Sequence, residues 1–269
     1  MPQLIFHLLG FGQPSDADAF IEALKTFPAG DKPLWVGKVH HWLEEPSFTK
    51  EQLMKKWDYL IIGRQQLPDH LQSSATTSLT IATNDTGDIP NFDVMSEQLL
   101  AKAIPPLPSG WSVEDHSGLD AAVPPDGVKV SLDQTSRLMG SEVGSDRITI
   151  KDFIRRLSET HSGPISVLNL LSYQPGQKQK FFEGYIGGFN NILSPIYGGG
   201  ALCLGTDPTL SSHEPQDEAF KWEDVALVWY PSIWHFGKML DDPEYARLDR
   251  AFKPALRNNP LLCCTEIKI

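Results

Sequence analysis

Cysteine is almost missing from this chain: Cys203 stands alone and Cys263 and Cys264 are adjacent, three in 269 residues. That count, with no CxxC spacing, excludes a disulfide framework and a cysteine-built metal centre, and the three thiols are expected to serve as small buried apolar groups. Positive charge is also in short supply, with Lys+Arg 23 against Asp+Glu 34 and a formal net charge of −11. Nucleic acid binding without sequence preference rests on Lys and Arg neutralising phosphates, so no nucleic acid partner is expected. Long apolar runs are missing too. "VLNLL" and "VALVWY" fall far short of the roughly 20 residues of a spanning helix, and no membrane partner is expected. The amino-terminal "MPQLIFHLLGFG" is apolar but has no basic leader, which makes the cytoplasm the expected location.

Several chemical signatures are absent as well. There is no H-E-x-x-H, no Walker loop, no G-x-G-x-x-G opening a helix after a strand and no G-x-S-x-G elbow. The sequence therefore points to no metal and no cofactor. "YGGGALCLG" is rich in glycine but precedes a strand, and reads as a tight turn and not as a phosphate cradle.

What is present is a core, with 41% hydrophobic and 10% aromatic residues, and a pattern that occurs twice. "IFHLLGF" (5–11) aligns with "VLNLLSY" (167–173), which sets His7 opposite Asn169 and Phe11 opposite Tyr173. "WDYLIIGRQQLPDHL" (57–71) aligns with "WEDVALVWYPSIWHF" (222–236) if the second copy carries one inserted residue, pairing Trp57 with Trp222 and Asp58 with Asp224. Each copy reads β, α, β, β, α, β.

In the first, Ser15 or Asp16 is placed to cap a helix carrying Phe20, Leu24 and Phe27 on one face. In the second, Ser232 precedes a helical stripe of Ile233, Phe236 and Leu240. Residues 1–84 and 151–269 are thus expected to be two domains, joined by an irregular linker at 85–150 rich in Pro, Gly, Ser and Asp.

A four-stranded unit of this kind carries its helices on one face only. Yet "ISVLNLLSY" is apolar on both faces, with Ile165, Val167 and Leu171 opposed by Leu168 and Leu170, and "VALVWY" behaves in the same way. A strand greasy on both sides needs cover on both. The two units are therefore expected to close their bare faces on each other.

The residues that carry this reading, "VLNLLSY", "GGGALCLGTD", "WEDVALVWYPSIWHF" and "DDPEYARL", resemble the dimeric α+β barrel superfamily, in particular its small uncharacterised bacterial members. The likeness covers 163–269 well. The first half matches in outline only, since it lacks the Pro-Ser step and the D-P-x-Y helix. Two-domain versions of this kind resemble fungal proteins.

The resemblance implies an α+β fold of two tandem ferredoxin-like units forming an intramolecular barrel, as a monomeric pseudo-dimer or a homodimer. It implies ligand sites between sheet and helices or inside the barrel. It further implies a cofactor-free enzyme on a hydrophobic, aromatic or polyketide-like molecule, of cyclase, isomerase, lyase or decarboxylase type, with a place in fungal secondary metabolism. A cofactor-independent monooxygenase and a non-catalytic binding protein are the alternatives.

Asn169 is the sharpest candidate, because a carboxamide in an apolar strand is costly unless it is bonded. It either orients a ligand carbonyl or pairs with the backbone. His7 holds the equivalent place and is either a proton carrier or a satisfied core histidine. With Tyr230 these form the expected catalytic set. Tyr173, Tyr185, Tyr197, Trp229, His235 and His41 are the expected substrate contacts, being amphipathic groups suited to an aromatic ligand.

Overall fold

The computed structural model describes residues 4–84, 149–211 and 221–269, together with the helical positions Phe92, Met95, Gln98 and Leu99. Most of the expected linker, 85–150, lies outside the described residues.

The first segment runs β1 (Ile5–Gly10), α1 (Pro14–Lys25), β2 (Trp35–Glu44), α2 (Lys50–Leu53), β3 (Tyr59–Gly63), α3 (Asp69–Gln72) and β4 (Thr77–Asn84). The second opens with α4 (Ile150–Thr160) and β5 (Ile165–Tyr173). A continuous helix α5 then spans 178–197, beginning as Lys178–Phe181, passing through π-helical turns at Phe182–Ile186 and Phe189–Leu193, and ending as Ser194–Tyr197. After it come β6 (Gly200–Leu210), β7 (Asp224–Tyr230), α6 (Ile233–Leu240), α7 (Pro243–Phe252), a short β8 (Leu256–Asn258) and β9 (Leu261–Glu266).

Local chemistry explains most boundaries. Ser232 caps α6, its hydroxyl accepting from the His235 N–H, as its position in the sequence predicts. At α1 the cap lies two or three residues before the expected Ser15 or Asp16. The N-cap is Gln13, with Pro14 in the first helical turn where its missing N–H costs nothing. In α5 the glycines are required for approach: a Cβ on Gly184 would fall 2.0 Å from the Phe252 ring, and one on Gly188 would fall 2.5 Å from Leu248. They let α5 lie directly on α7.

All the strands pair antiparallel, in the order β7-β6-β4-β1-β3-β2-β9-β5, and β5 pairs again with β7, so the eight strands close into a barrel. β8 is an added edge on β5. The first segment's strands lie in the order β4-β1-β3-β2 and the second's in the order β6-β7-β5-β9, the same connectivity read from the opposite end. The seams between the segments are β4 with β6 and β2 with β9.

One apolar cluster draws on all eight barrel strands. It includes Phe6, Leu8, Trp42, Leu60 and Ile81 from the first segment, and Leu168, Leu170, Leu202, Leu227, Trp229 and Leu262 from the second. The inner faces therefore meet, as the two-sided apolar strands require, and the barrel is a packed core and not a channel. Three further clusters lie outside it, one under α1 with Leu9, Phe20 and Ile61, one under α5, α6 and α7 with Val167, Phe189 and Tyr230, and a small one with Leu171, Tyr173, Phe181 and Ala255.

The segments share a small backbone device. The Phe11 N–H donates to the Asp58 carboxylate at 2.6 Å while the Asp58 N–H donates to the Leu9 carbonyl at 2.8 Å. The Tyr173 N–H donates to Glu223 at 2.6 Å and the Glu223 N–H to the Leu171 carbonyl at 2.8 Å. This pattern makes Glu223, and not Asp224, the counterpart of Asp58. No residue is inserted at that point.

Candidate functional site

Among the described residues, a cavity lies on the outer face of the barrel in each segment. In the second, β5 and β7 set Val167, Asn169, Ala226, Val228 and Tyr230 outward, and α5, α6 and α7 cover them with Tyr185, Phe189, Phe236, Met239 and Tyr245. The space between them is about 110 Å³ and opens towards solvent. Asn169 sits at its floor, paired in register with Ala226 on one side and Leu261 on the other.

The Asn169 carboxamide Nδ2 donates to the Val167 carbonyl at 2.8 Å. A carbonyl can only accept, so that bond also orients the amide, leaving its second N–H and Oδ1 for the cavity. The backbone pairing expected of Asn169 is therefore present, and it does not use up the carboxamide. It is anchored to the backbone and still presents polar atoms to the space above it.

Tyr230 stands against Phe236, ring centroids 5.1 Å apart, and Phe189 at 6.4 Å. Burial pushes its phenol well above the ordinary tyrosine range, with Tyr185 adding to the rise. Tyr185 and Tyr245 are raised first by burial as well, then by the charge of Asp249 for Tyr185 and by Tyr185 itself for Tyr245. All three phenols remain protonated donors across the physiological range. The polar end of the cavity is a charged trio: Lys253 Nζ meets Glu44 at 3.1 Å and Asp249 at 3.9 Å. Glu44 belongs to β2, so the first segment contributes to the second segment's site.

In the first segment the cavity is larger, about 660 Å³, and lies above β1 and β3 between the loops at 27–34 and 63–68. His7 is in its floor, 1% exposed. Its Nδ1 is 3.1 Å from Thr80 Oγ1, and its buried Nε2 has no well-formed hydrogen bond. Burial drops the imidazole to about 4, against a smaller upward pull from the Gln65 main chain. His7 is therefore neutral at pH 7.

The expected catalytic set is thus split. Asn169 and Tyr230 share the cavity of the second segment, whereas His7 faces another one in a different part of the barrel wall, because β1 lies between β4 and β3 and is nowhere adjacent to β5. Matching places in two sheets of the same strand order are set apart by barrel closure.

Of the expected substrate contacts, Tyr185 lines the cavity with Asn169. Trp229 points into the barrel core. Tyr173 donates to the buried Asp224 carboxylate at 2.8 Å, which Lys178 also holds at 2.8 Å. The Tyr197 hydroxyl is tied to Asp242. His235 Nδ1 lies 2.8 Å from the capping Ser232 hydroxyl, with its pKa lowered by burial, and His41 stacks on Phe153 at 5.7 Å. None of these five lines either cavity.

Sequence reasoning missed Tyr245, Asp249, Lys253 and Glu44. The first three follow from "DDPEYARLDRAFK" read at helical spacing, since residues 245, 249 and 253 fall on one face. Glu44 had no such signal, because it arrives through barrel closure. Among the described residues, no group of three or more His, Cys, Asp or Glu side chains is placed to hold a metal ion, and no helix is long and apolar enough to cross a membrane.

No protein-family model and no curated protein matches the chain. Among solved structures, a protein of unknown function from Rhodopseudomonas palustris is 24% identical over 44% of this chain and 95% of its own, with a TM-score of 0.35. Its methylated form is 26% identical over 44% of this chain and 92% of its own, also at 0.35. A candidate monooxygenase from Lactobacillus acidophilus NCFM is 8% identical, over 98% of this chain and 93% of its own, at 0.44. Likenesses at these scores carry no argument about chemistry, and the site is read from its own residues.

Proposed function

We propose that the chain is a duplicated pair of ferredoxin-like units, 1–84 and 151–269, and that the cavity of the second unit is the active site of an acid–base enzyme acting on a compact carbonyl compound. The duplication is supported by the mirrored strand order and by the repeated carboxylate device at Asp58 and Glu223.

The observation that carries the chemical reading is the convergence of Asn169, Tyr230 and the Glu44–Lys253–Asp249 trio on one apolar-floored space. Asp249, which lines the cavity on the face of α7 that carries Tyr245, is assigned as the base. It takes the proton α to the substrate carbonyl, and the enolate oxygen that forms is held by the Tyr230 hydroxyl and the free N–H of Asn169. Return of the proton to another carbon gives an isomerase, and loss of a leaving group gives a lyase.

Size limits the substrate. An apolar cavity of about 150 Å³ takes benzene, so a space of about 110 Å³ suits a molecule of a few heavy atoms. A polyketide skeleton does not fit it. The test is solvent deuterium exchange into small enolisable ketones and keto acids, followed by proton NMR with oxygen uptake recorded in parallel. Catalysed exchange that falls at least 100-fold in Asp249→Asn and in Asn169→Ala supports the reading. Exchange that survives both substitutions overturns it, and oxygen consumption coupled to substrate loss would favour a monooxygenase.

One observation favours a second reading, that of a binding protein. Burial locks all three phenols in the protonated form, which suits holding an oxygen as well as reacting with it. Ligand binding without any exchange would select this reading.

A further inference from the structure

The cavity above His7 is not used by the chemistry proposed for the second segment, and it has the marks of a site in its own right. We infer that it is a second ligand site, for an amphipathic carboxylate of about two fused rings that carries a hydroxyl or carbonyl oxygen at its buried end.

The size comes first. At about 660 Å³ the space lies in the range of pockets that hold drug-sized ligands, and it is several times larger than the cavity at Asn169. The polarity has two ends. The deep end is the imidazole of His7, almost completely buried, with Nδ1 engaged by Thr80 and Nε2 without a well-formed hydrogen bond. A buried polar atom left in that condition is uncommon and requires a reason. A ligand hydroxyl supplies one, because it donates or accepts as the imidazole tautomer demands.

The walls between are apolar, with Phe27, Leu34, Ile61 and Leu67. The outer rim carries Lys32 and Arg64, neither of them ion-paired among the described residues, against Asp31 as the single carboxylate among the described lining residues. In a chain with a formal net charge of −11, a local excess of cation beside an apolar cleft selects an anion with an apolar body. Arg64 presents a planar fork suited to a carboxylate.

The fold explains why the space exists here. The helix after β3 is the single turn α3, four residues long, while the corresponding stretch after β7 carries α6 and α7, eight and ten residues long. The outer face beside His7 is therefore roofed by loops, and the face beside Asn169 by helices.

The test is titration of the full chain with 6-hydroxy-2-naphthoate, by calorimetry and by amide NMR shifts. Saturable binding is expected, with shifts centred on Ile61, Gly63 and Gln65. Its affinity falls at least 10-fold in the surface double variant Lys32→Gln/Arg64→Gln and at least 10-fold when 2-naphthol, which lacks the carboxylate, replaces the probe. His7→Leu weakens it further. If that variant does not fold, 2-naphthoate reads the same contact from the ligand side and binds more weakly than the hydroxylated probe.

Asn169→Ala leaves the titration unchanged, which separates this site from the one proposed above. No saturable binding of the naphthoate, binding indifferent to Lys32 and Arg64, or shifts centred on Asn169 would each overturn the inference.

Discussion

The two segments of this barrel share a wall and differ in their roof. His7 and Asn169 occupy matching places, each flanked in register by a central strand and by the segment's last strand: Ile61 and Thr80 for His7, Ala226 and Leu261 for Asn169. Beneath them the strands are alike, apolar on both faces. Above them the second segment lays α5, α6 and α7 and leaves about 110 Å³, while the first lays α1 and loops and leaves about 660 Å³. The difference teaches that two sheets of the same strand order can set polar side chains in matching positions, whereas the connections between strands decide what those side chains meet.

The largest test of the comparison concerns what the segments share. Trp57 and Trp222 are buried in the same core, and each replaced by Ala should cost about 3–5 kcal/mol, measured by urea unfolding. Costs that differ by more than about 2 kcal/mol would break the correspondence between them.

The next concerns what separates them. His7 is held at about 4 in the folded chain against an ordinary value of 6.5. Between those values the unfolded chain binds a proton that the folded chain refuses, so stability is present above pH 6.5 and is lost as pH falls towards 4. The loss from this one group is about 3 kcal/mol at most. In His7→Leu the slope of unfolding free energy between pH 6.5 and 4.5 should flatten, and Asn169→Leu should leave the slope as it is. Equal slopes in wild type and His7→Leu would remove this distinction between the two sites.

A smaller effect is expected at the paired carboxylates. Asp58→Asn and Glu223→Gln each weaken a charge-assisted bond to a backbone N–H and should cost about 1–2 kcal/mol, in like measure if the device is common to both segments. The smallest belongs to the roofs. Ser232→Ala removes the cap of α6 and should cost about 1 kcal/mol, while Pro68, which precedes α3 without a side-chain bond, should give no such loss when replaced by Ala. Thermal unfolding of the two variants side by side measures the contrast.

Reading the sequence alone found the strands well and, of the residues lining the candidate site, only some. The alternation in "ISVLNLLSY" and "VALVWY" is a local property, and two-sided apolarity in a strand has few outcomes other than cover on both faces, so closure of the sheets was legible. Asn169 was legible for a related reason, since one carboxamide among branched apolar neighbours stands out wherever the strand goes. Tyr173, Tyr197 and His235 line neither cavity and are bonded elsewhere. A phenol or imidazole near a sheet is as well served by a carboxylate or a cap hydroxyl as by a ligand, and only the neighbours brought by the fold tell which: Asp224, Asp242 and Ser232.

By itself, then, the order of residues determined the elements, the faces they must bury and the repeated βαββαβ rhythm, because those follow from spacing within a few turns of chain. Tertiary structure alone decided that His7 and Asn169 face separate cavities and that Glu44 crosses a seam to reach Lys253. Those outcomes depend on strand pairings and contacts between residues far apart in the chain, 209 positions for Glu44 and Lys253, and no local periodicity encodes them.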